Sequence, residues 1–359
     1  MSDPARPSLA GAGTGARAAA LVRILRGLRL ETSAIRLADG FRLRRGRGGG
    51  LAFPFIRRRR EPSFQILSYH RVNDEGAHFF PGVPVQQFRQ QMEALARHTT
   101  VLPLGELVER MFAADLPPRS VAITFDDGYR DNYECAYPVL RALRLPATIF
   151  LTTGPLDTGE PLWHDRVFDA FEHAGDTSLT LKGRSFPMAP IAARHAALRH
   201  VLTHLRSLDP EERNRTIRGI EDQVGSKAPE DRARRMLTWE QVREMAAGGI
   251  TFGAHTVSHP ILTRVGLEEA TAEIRDSKAA IERELGRPVD QFAYPNGTRA
   301  DFNDAILRIL RDQGFRCAVT TLWGINDTAC DPFELKRVGL WDTEPDLIPL
   351  RLAWYRFES

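Results

Sequence analysis

Residues 121–129 read Val-Ala-Ile-Thr-Phe-Asp-Asp-Gly-Tyr. The apolar run before the two carboxylates is typical of a buried strand, and Gly128 after them indicates a turn. The segment therefore predicts a strand that delivers Asp126 and Asp127 to its carboxyl end. A calcium loop is excluded, because residues 127–131 lack the alternating oxygen ligands and the glycine at the sixth position of such loops.

A second segment, residues 250–260, reads Ile-Thr-Phe-Gly-Ala-His-Thr-Val-Ser-His-Pro. It also begins like a strand and then places His255 and His259 four residues apart. On a helical turn this spacing puts both imidazoles on one side, which suits a shared metal ion. Two histidines and one carboxylate are three protein ligands, which leaves a position for water, as catalytic metal sites require. The two segments together predict a metal-dependent hydrolase.

Four motifs give the chain a resemblance to the NodB-homology polysaccharide deacetylases, carbohydrate esterase family 4, over about residues 64–340. Residues 124–129 resemble the family's first motif, and residues 255–259 resemble the second. Residues 292–297, Phe-Ala-Tyr-Pro-Asn-Gly, stand in the place of the third, which forms one wall of the active-site groove. Residues 67–72, Leu-Ser-Tyr-His-Arg-Val, resemble the Tyr-His segment of the exopolysaccharide-deacetylase branch.

The resemblance implies a role for each residue of the first two motifs. Asp126 corresponds to the general base. Asp127, His255 and His259 correspond to the ligands of a divalent metal, for which we expect zinc. A backbone N–H just after Asp127 is expected to stabilise the oxyanion that forms when water attacks an amide carbonyl. The expected partner is a carbohydrate substrate.

The chain departs from the family pattern at two positions. The third motif often carries an Arg that orients the base, but Ala293 occupies that position here. Arg337 is our candidate replacement, for which the alternative is an arginine on the protein surface. The family's late histidine, its general acid, is missing, because no histidine follows His259. We assign the acid to His70, for which the alternative is a strand-end histidine bonded only to backbone. His164 is a second candidate, as a residue that lines the groove.

Strand-like and helix-like segments alternate through residues 61–359, which we interpret as the catalytic domain. Alternation of this kind predicts a mainly parallel sheet. With the resemblance, it predicts an α/β fold built as an incomplete or distorted (β/α) barrel, similar to a TIM barrel, with a mostly helical insertion at about 158–235. The predicted strands are 64–70, 121–126, 147–152, 291–294 and 316–321, and the predicted helices include 85–98, 133–143, 163–173, 267–285 and 302–313.

The net charge of +3 at pH 7 is distributed unevenly. Residues 1–60 contain fourteen Arg, no Lys and three acidic residues, so this basic arm carries +11 and the rest of the chain carries −8. The arm is interpreted either as a disordered tail or as a contact with an anionic membrane surface. Nucleic acid is not expected as a partner, because no nucleic-acid-reading module accompanies the charge.

The beginning of the chain shows no ordered succession of a basic region, an apolar region and a small-residue cleavage site, so no secretory signal peptide is predicted. The apolar residues 51–56 are too few to span a bilayer, which takes about 20 residues. We expect the protein in the cytoplasm or at the inner face of the membrane. Its cysteines, Cys135, Cys317 and Cys330, lack CxxC spacing and are predicted to be reduced, buried thiols.

The sequence as a whole predicts a hydrolase of non-peptide C–N bonds. Its expected reaction is the metal-dependent removal of N-acetyl groups from N-acetylhexosamine units of an envelope or extracellular polysaccharide, or of a lipid-linked precursor. One alternative is a hydrolase of small amide or cyclic C–N substrates on the same fold. Another is a catalytically inactive carbohydrate-binding domain, against which the presence of Asp126 and all three ligands speaks.

Overall fold

The computed structural model describes residues 62–175, 177–225, 235–340 and 344–358, so the basic arm at residues 1–60 lies outside the described residues. The strands are β1 (Ser63–Tyr69), β2 (Thr100–Val101), β3 (Ser120–Phe125), β4 (Thr148–Leu151), β5 (Ser178–Leu181), β6 (Arg184–Pro187), β7 (Thr251–Ala254), β8 (Gln291–Ala293), β9 (Cys317–Trp323), β10 (Asn326–Asp327) and β11 (Leu335–Arg337). The α-helices are α1 (Val85–His98), α2 (Leu104–Phe112), α3 (Tyr137–Leu143), α4 (Trp163–Glu172), α5 (Ile191–Leu205), α6 (Pro210–Val224), α7 (Trp239–Ala247), α8 (Leu267–Leu285), α9 (Asp304–Asp312) and α10 (Ile348–Glu358).

The main sheet is a nearly closed barrel. Its strands follow the order β10-β1-β3-β4-β7-β8-β9-β11, with β2 paired to the beginning of β3. All neighbours are parallel except β1 and β10. Just beyond β11, the Val338 N–H donates to the Ile66 carbonyl at 2.8 Å, and the Ser68 N–H donates to the Val338 carbonyl at 3.0 Å. These bonds join the last strand to the first, and the predicted distorted (β/α) barrel is confirmed.

Strand β3 lies in the middle of the barrel wall and is buried at every position. A continuous apolar run of this kind is typical of a parallel strand that is covered on both faces. Side chains of alternate residues enter different clusters, Val121 and Ile123 on one face and Ala122 on the other. Strand β1 pairs with β3 from Phe64 opposite Ser120 to Tyr69 opposite Phe125, so the two strands end side by side.

The predicted elements occur with small shifts at their ends. The helix expected at residues 133–143 is divided into a π-helix, Asn132–Ala136, and α3. Pro138 has no N–H to donate to a carbonyl four residues earlier, which accounts for the interruption of the regular pattern. Thr238 and Gln241 form the reciprocal capping box that their spacing predicts at the start of α7.

The insertion predicted at about residues 158–235 contains α4, α5 and α6, and also a hairpin of β5 and β6 that we did not predict. It has its own hydrophobic cluster, in which Trp163 of α4 packs with Val201 of α5 and Ile217 of α6. The chain then returns to the barrel beside the Asp126–Asp127 turn. There the Leu237 N–H donates to the Gly128 carbonyl at 2.9 Å. The end of the insertion therefore lies beside the turn that follows β3.

No helix within the described ranges has the length and apolar character needed to cross a membrane. All three cysteines are free. The predicted burial holds for Cys317, whereas Cys135 and Cys330 are only half-buried.

Candidate active site

Polar side chains gather where four barrel strands end. His70 follows β1, the pair Asp126 and Asp127 follows β3, His255 follows β7, and Arg337 is the last residue of β11. In parallel barrels the carboxyl ends of the strands lie on one face, and active sites are found there. The fold therefore brings residues from positions 70 to 337 of the chain to one place.

Asp127, His255 and His259 form a buried cluster. The Asp127 Oδ1 atom lies 3.4 Å from the Nε2 atom of each histidine. One ligand atom from each residue lies within 4.8 Å of the others, and the three side chains are almost fully buried. Asp127 Oδ1 accepts no hydrogen bond, and a buried carboxylate oxygen without a partner is unusual in proteins. A cation between the three side chains would satisfy this oxygen, and the donor set fits zinc.

The protonation of the cluster also suits a cation. Burial alone would raise the pKa of Asp127, but the neighbouring imidazoles of His255 and His259 hold that pKa well below its usual range. Burial lowers the pKa of His259 far below its usual value, so this imidazole is neutral, as a metal ligand must be. Burial also disfavours the charged form of His255, yet the neighbouring Asp127 raises the pKa of this ring overall. A bound cation would take the place of the His255 proton.

Backbone geometry aims the three side chains at one another. The His255 Nδ1–H donates to the Ala293 carbonyl at 2.7 Å, which leaves Nε2 free to face Asp127. Asp127 itself has a left-handed φ of 72° and is followed by Gly128 at 86°. A Cβ on Gly128 would lie 2.9 Å from the Leu151 side chain, so glycine is required in this turn.

Two sequence-based expectations about this region are wrong. Residues 255–259 form no helical turn, because Thr256 and His259 have left-handed φ values of 68° and 59°. The two imidazoles meet through this loop conformation, with ring centroids 4.9 Å apart. In addition, the Gly128 N–H donates to the Asp126 carbonyl at 2.9 Å. It is used to close the turn, so it is not the free donor expected just after Asp127.

Asp126 is clamped by Arg337. Two guanidinium nitrogens donate to the two carboxylate oxygens, at 2.7 and 2.6 Å, and Arg337 Nε donates to the Thr320 carbonyl at 2.7 Å. Burial alone would raise the pKa of Asp126, but the Arg337 charge and hydrogen bonds hold that pKa below its usual value. The predicted contact between Arg337 and Asp126 is therefore present.

Each of the two candidate acids lies near one residue of the aspartate pair. His70 Nε2 is 3.8 Å from Asp126 Oδ2, and the His70 side chain is 36% exposed.

His164 Nε2 is 3.8 Å from Asp127 Oδ2 and 3.1 Å from the Tyr129 hydroxyl, and the His164 ring lies 4.9 Å from the ring of His259. Tyr129 donates its hydroxyl proton to Asp165 at 2.8 Å, so the His164 nitrogen is the donor toward Tyr129. The motif Trp-His-Asp at 163–165 pointed to His164, whereas the bonds to Tyr129 follow from the folded chain alone.

The model for the family described as polysaccharide deacetylase matches residues 113–318. This range is more than half of the chain and includes Asp126 and the three residues of the metal cluster. The chain belongs to the polysaccharide deacetylase family. The resemblance that the motifs indicated is thereby confirmed.

Individual polysaccharide deacetylases resemble the chain to different extents. The poly-beta-1,6-N-acetyl-D-glucosamine N-deacetylase of Staphylococcus aureus is 34% identical over 120 residues, which are 30% of this chain and 41% of that protein. The structure of the Streptococcus pyogenes deacetylase PplD in complex with acetate is 23% identical and matches with a TM-score of 0.56, over 82% of this chain and 97% of that one. IcaB from Ammonifex degensii is 21% identical, with the same coverage and a TM-score of 0.54. The two structures show that the fold is shared.

His70 and Arg337 lie outside the residues that match the polysaccharide deacetylase model. Their assignment rests on their position beside Asp126. Tyr294, in the third motif, is fully buried, and its hydroxyl donates to the Phe333 carbonyl at 2.9 Å. This ring therefore supports the barrel and does not line a groove, while the neighbouring Ala293 carbonyl holds His255.

Proposed function

We propose that the protein is a zinc-dependent N-deacetylase that acts on N-acetylhexosamine units of an envelope or extracellular polysaccharide, or of its lipid-linked precursor. The observation that carries the proposal is the division of the adjacent carboxylates: Asp126 is paired with Arg337, and Asp127 faces two imidazoles. One carboxylate is thus kept as a base while the other is kept as a ligand. The activity in the name of the S. aureus relative supports the substrate class.

Asp127, His255 and His259 are the residues that would hold the metal. When bound, a zinc ion polarises a carbonyl oxygen and lowers the pKa of a coordinated water from about 15.7 to about 7. The chain supplies one negative charge and two neutral imidazoles for this purpose. Their burial keeps bulk water away from the charges and so strengthens the electrostatic interactions among them.

Asp126 accepts the proton of the water that attacks the acetamido carbon. It can do so because Arg337 keeps it ionised, at the cost of some basicity. The bidentate contact also fixes the plane of the carboxylate, so its oxygens cannot turn toward the histidine cluster. Arg337 is therefore a positioning residue for the base.

His70 donates a proton to the departing amine, which is otherwise a very poor leaving group. It lies beside Asp126 and is partly exposed, so a substrate can reach its ring. His164 suits this role less well, because its Nε2 atom is used toward Tyr129. Burial also lowers the pKa of His164, which keeps that ring unprotonated.

Acetate release tests the proposal directly. The full chain, loaded with zinc, is incubated with N-acetylated oligosaccharides of several linkages and lengths, beside N-acetyl monosaccharides and small cyclic imides. We expect acetate from at least one oligosaccharide, a loss of activity with a chelator, and recovery with zinc. Asp126→Asn is the matched inactive control. Turnover of the small compounds alone would favour the hydrolase of small C–N substrates, and no turnover of any compound would favour the inactive binding domain.

We also propose that the basic arm contacts an anionic membrane from the cytoplasmic side. The charge of +11 on residues 1–60 supports this, since each Arg near such a surface contributes about 1 kcal/mol of attraction. The arm would keep the barrel close to a lipid-linked or nascent polysaccharide.

A further inference from the structure

The loop that joins His255 to His259 has an uncommon backbone conformation, which other contacts must stabilise. Thr256 and His259 both have left-handed φ values, 68° and 59°. Non-glycine residues seldom adopt this conformation, and for a β-branched residue such as Thr256 it is a genuine outlier. Such conformations persist where the surrounding structure imposes them, and they are common at functional sites. Contacts on both sides of the loop hold it in this conformation.

On one side, the segment after β4 binds the carbonyl groups of the loop. The Thr153 N–H donates to the Thr256 carbonyl at 3.1 Å, and the Gly154 N–H donates to the Val257 carbonyl at 2.8 Å. A Cβ on Gly154 would lie 2.7 Å from that Val257 oxygen, so this approach requires glycine. These bonds fix the carbonyl groups of the loop to the barrel. The N–H groups of the loop need other acceptors.

On the other side, the carboxylate of Glu273 in α8 accepts hydrogen bonds from the loop. Glu273 Oε2 accepts the Val257 N–H at 2.8 Å and the Ser258 N–H at 2.9 Å, and Oε1 accepts the Ser258 hydroxyl at 2.7 Å. Hydrogen bonds to an ionised acceptor are stronger than those between neutral groups. The two residues bound by Glu273 lie between the two histidines, so the carboxylate holds the middle of the loop while the loop ends carry the imidazoles.

We propose that Glu273 is a positioning residue of the metal site: it holds the loop so that His259 Nε2 stays beside Asp127 Oδ1. This inference rests on the proposed role of Asp127, His255 and His259 as metal ligands. Glu273 donates nothing to the metal. When its carboxylate is removed, water can serve the freed N–H groups, and the left-handed residues can relax toward ordinary φ values. The His259 ring then no longer stays beside Asp127 Oδ1, whereas the His255 ring remains fixed by its hydrogen bond to the Ala293 carbonyl.

Metal affinity is the property that this role predicts. The dissociation constant for zinc is measured on the full chain by competition with a chromophoric chelator, for wild type, Glu273→Ala and Glu273→Gln. We expect Glu273→Ala to bind zinc about 10–100-fold more weakly, the usual effect of removing a residue that orients a metal ligand. Glu273→Gln should lose less, because its amide oxygen can still accept a backbone N–H. Glu269→Ala, an exposed glutamate one turn earlier on the same helix, should bind zinc like wild type.

The melting temperature of the metal-free variants separates positioning from a purely structural role. If Glu273→Ala melts at a lower temperature but binds zinc as tightly as wild type, Glu273 only stabilises the fold and the inference is wrong. An unchanged melting temperature with unchanged zinc affinity would also refute it. His259→Ala is the reference for loss of a ligand. If wild type binds no zinc, or if His259→Ala binds zinc as tightly as wild type, the proposed metal site is wrong. In that case the proposed role of Glu273 is wrong as well.

Discussion

Replacing Arg337 by Met should damage the protein in a way that can be measured without substrate. Arg337 is 2% exposed and makes three short hydrogen bonds, two to the Asp126 carboxylate and one to the Thr320 carbonyl. Methionine fills a similar volume but can replace none of them. The variant therefore keeps a buried carboxylate without the cation and the two hydrogen bonds that Arg337 supplies.

The expected loss of stability follows from burial. Breaking a buried ion pair by removing one partner typically lowers the free energy of unfolding by about 3–5 kcal/mol. Arg316 provides a matched control, because it contacts Glu109 at 2.7 Å in a pair whose two side chains are more than half exposed. Exposed pairs contribute only about 0–1 kcal/mol. The difference between Arg337→Met and Arg316→Met therefore compares a buried, two-point ion pair with an exposed, single-point one.

The loss should depend on pH with a definite sign. Burial raises the pKa of Asp126, but the charge and hydrogen bonds of Arg337, together with the nearby His255 and His70, lower it more, so the folded-state pKa lies below the unfolded value of about 3.9. The stabilisation by this pair is therefore complete at neutral pH and disappears as the pH falls through the folded-state pKa. Without Arg337 the effect of burial remains, and the pKa of Asp126 should rise above its usual value. The acidic limb of kcat/KM should then move to higher pH.

Urea unfolding from pH 3 to pH 8, with acetate release over the same range, tests the argument. A variant Arg337→Met with the stability of Arg316→Met at neutral pH would show that the buried pair contributes little. An acidic limb at the wild-type pH would show that Arg337 does not control the ionisation of the base. Arg337→Lys should give intermediate values, because it retains the charge but not the planar, two-point contact.

Three further results are expected. Asp126→Asn should abolish turnover and keep the metal content of wild type, since the base is lost and the ligands remain; substantial activity would assign the water's proton to another group. His70→Asn should lower kcat by about 10²–10⁴, the usual contribution of a general acid, with unchanged zinc affinity; a near-normal kcat would move the acid to His164 or to water. Deleting residues 1–60 should remove binding to acidic vesicles and preserve activity on a soluble substrate, and binding by the full chain should weaken steeply with salt because charges are screened over about 8–10 Å; salt-insensitive binding would indicate apolar insertion through Phe53 and Phe55.

The sequence predicted those parts of the site that local patterns encode. An apolar run followed by Asp-Asp-Gly is visible in nine residues, and so is a strand followed by two histidines. The barrel then fixes where these segments meet, because parallel strands present their carboxyl ends on one face. Arg337 was proposed for a different reason, because the position at which the family often carries its base-orienting arginine holds Ala293 here.

Other features depend on contacts that no local pattern records. The left-handed loop at residues 255–259 was taken for a helical turn, because spacing alone does not distinguish two ways of bringing two rings together. The three bonds of Glu273 join residues 15 and 16 positions apart, and α8 contains other glutamates that look equivalent in the sequence. The hairpin of β5 and β6 was not predicted because its strands have only four residues each and lie between long helical segments, although residues 178–181, Ser-Leu-Thr-Leu, alternate polar and apolar side chains.

The clamp on Asp126 has a consequence for the order in which the enzyme is made. Asp126 and Arg337 are 211 residues apart, and β11 reaches its place only by joining both β9 and the segment beside β1. At 5–20 residues per second, a ribosome needs about 10–40 s to synthesise that interval. During this time the nascent chain already contains the aspartate pair and later the histidines, but its base is not yet paired. On the proposed mechanism, the base is therefore paired only after the closing strand β11 has been synthesised, so a nascent chain that still lacks β11 has no positioned base.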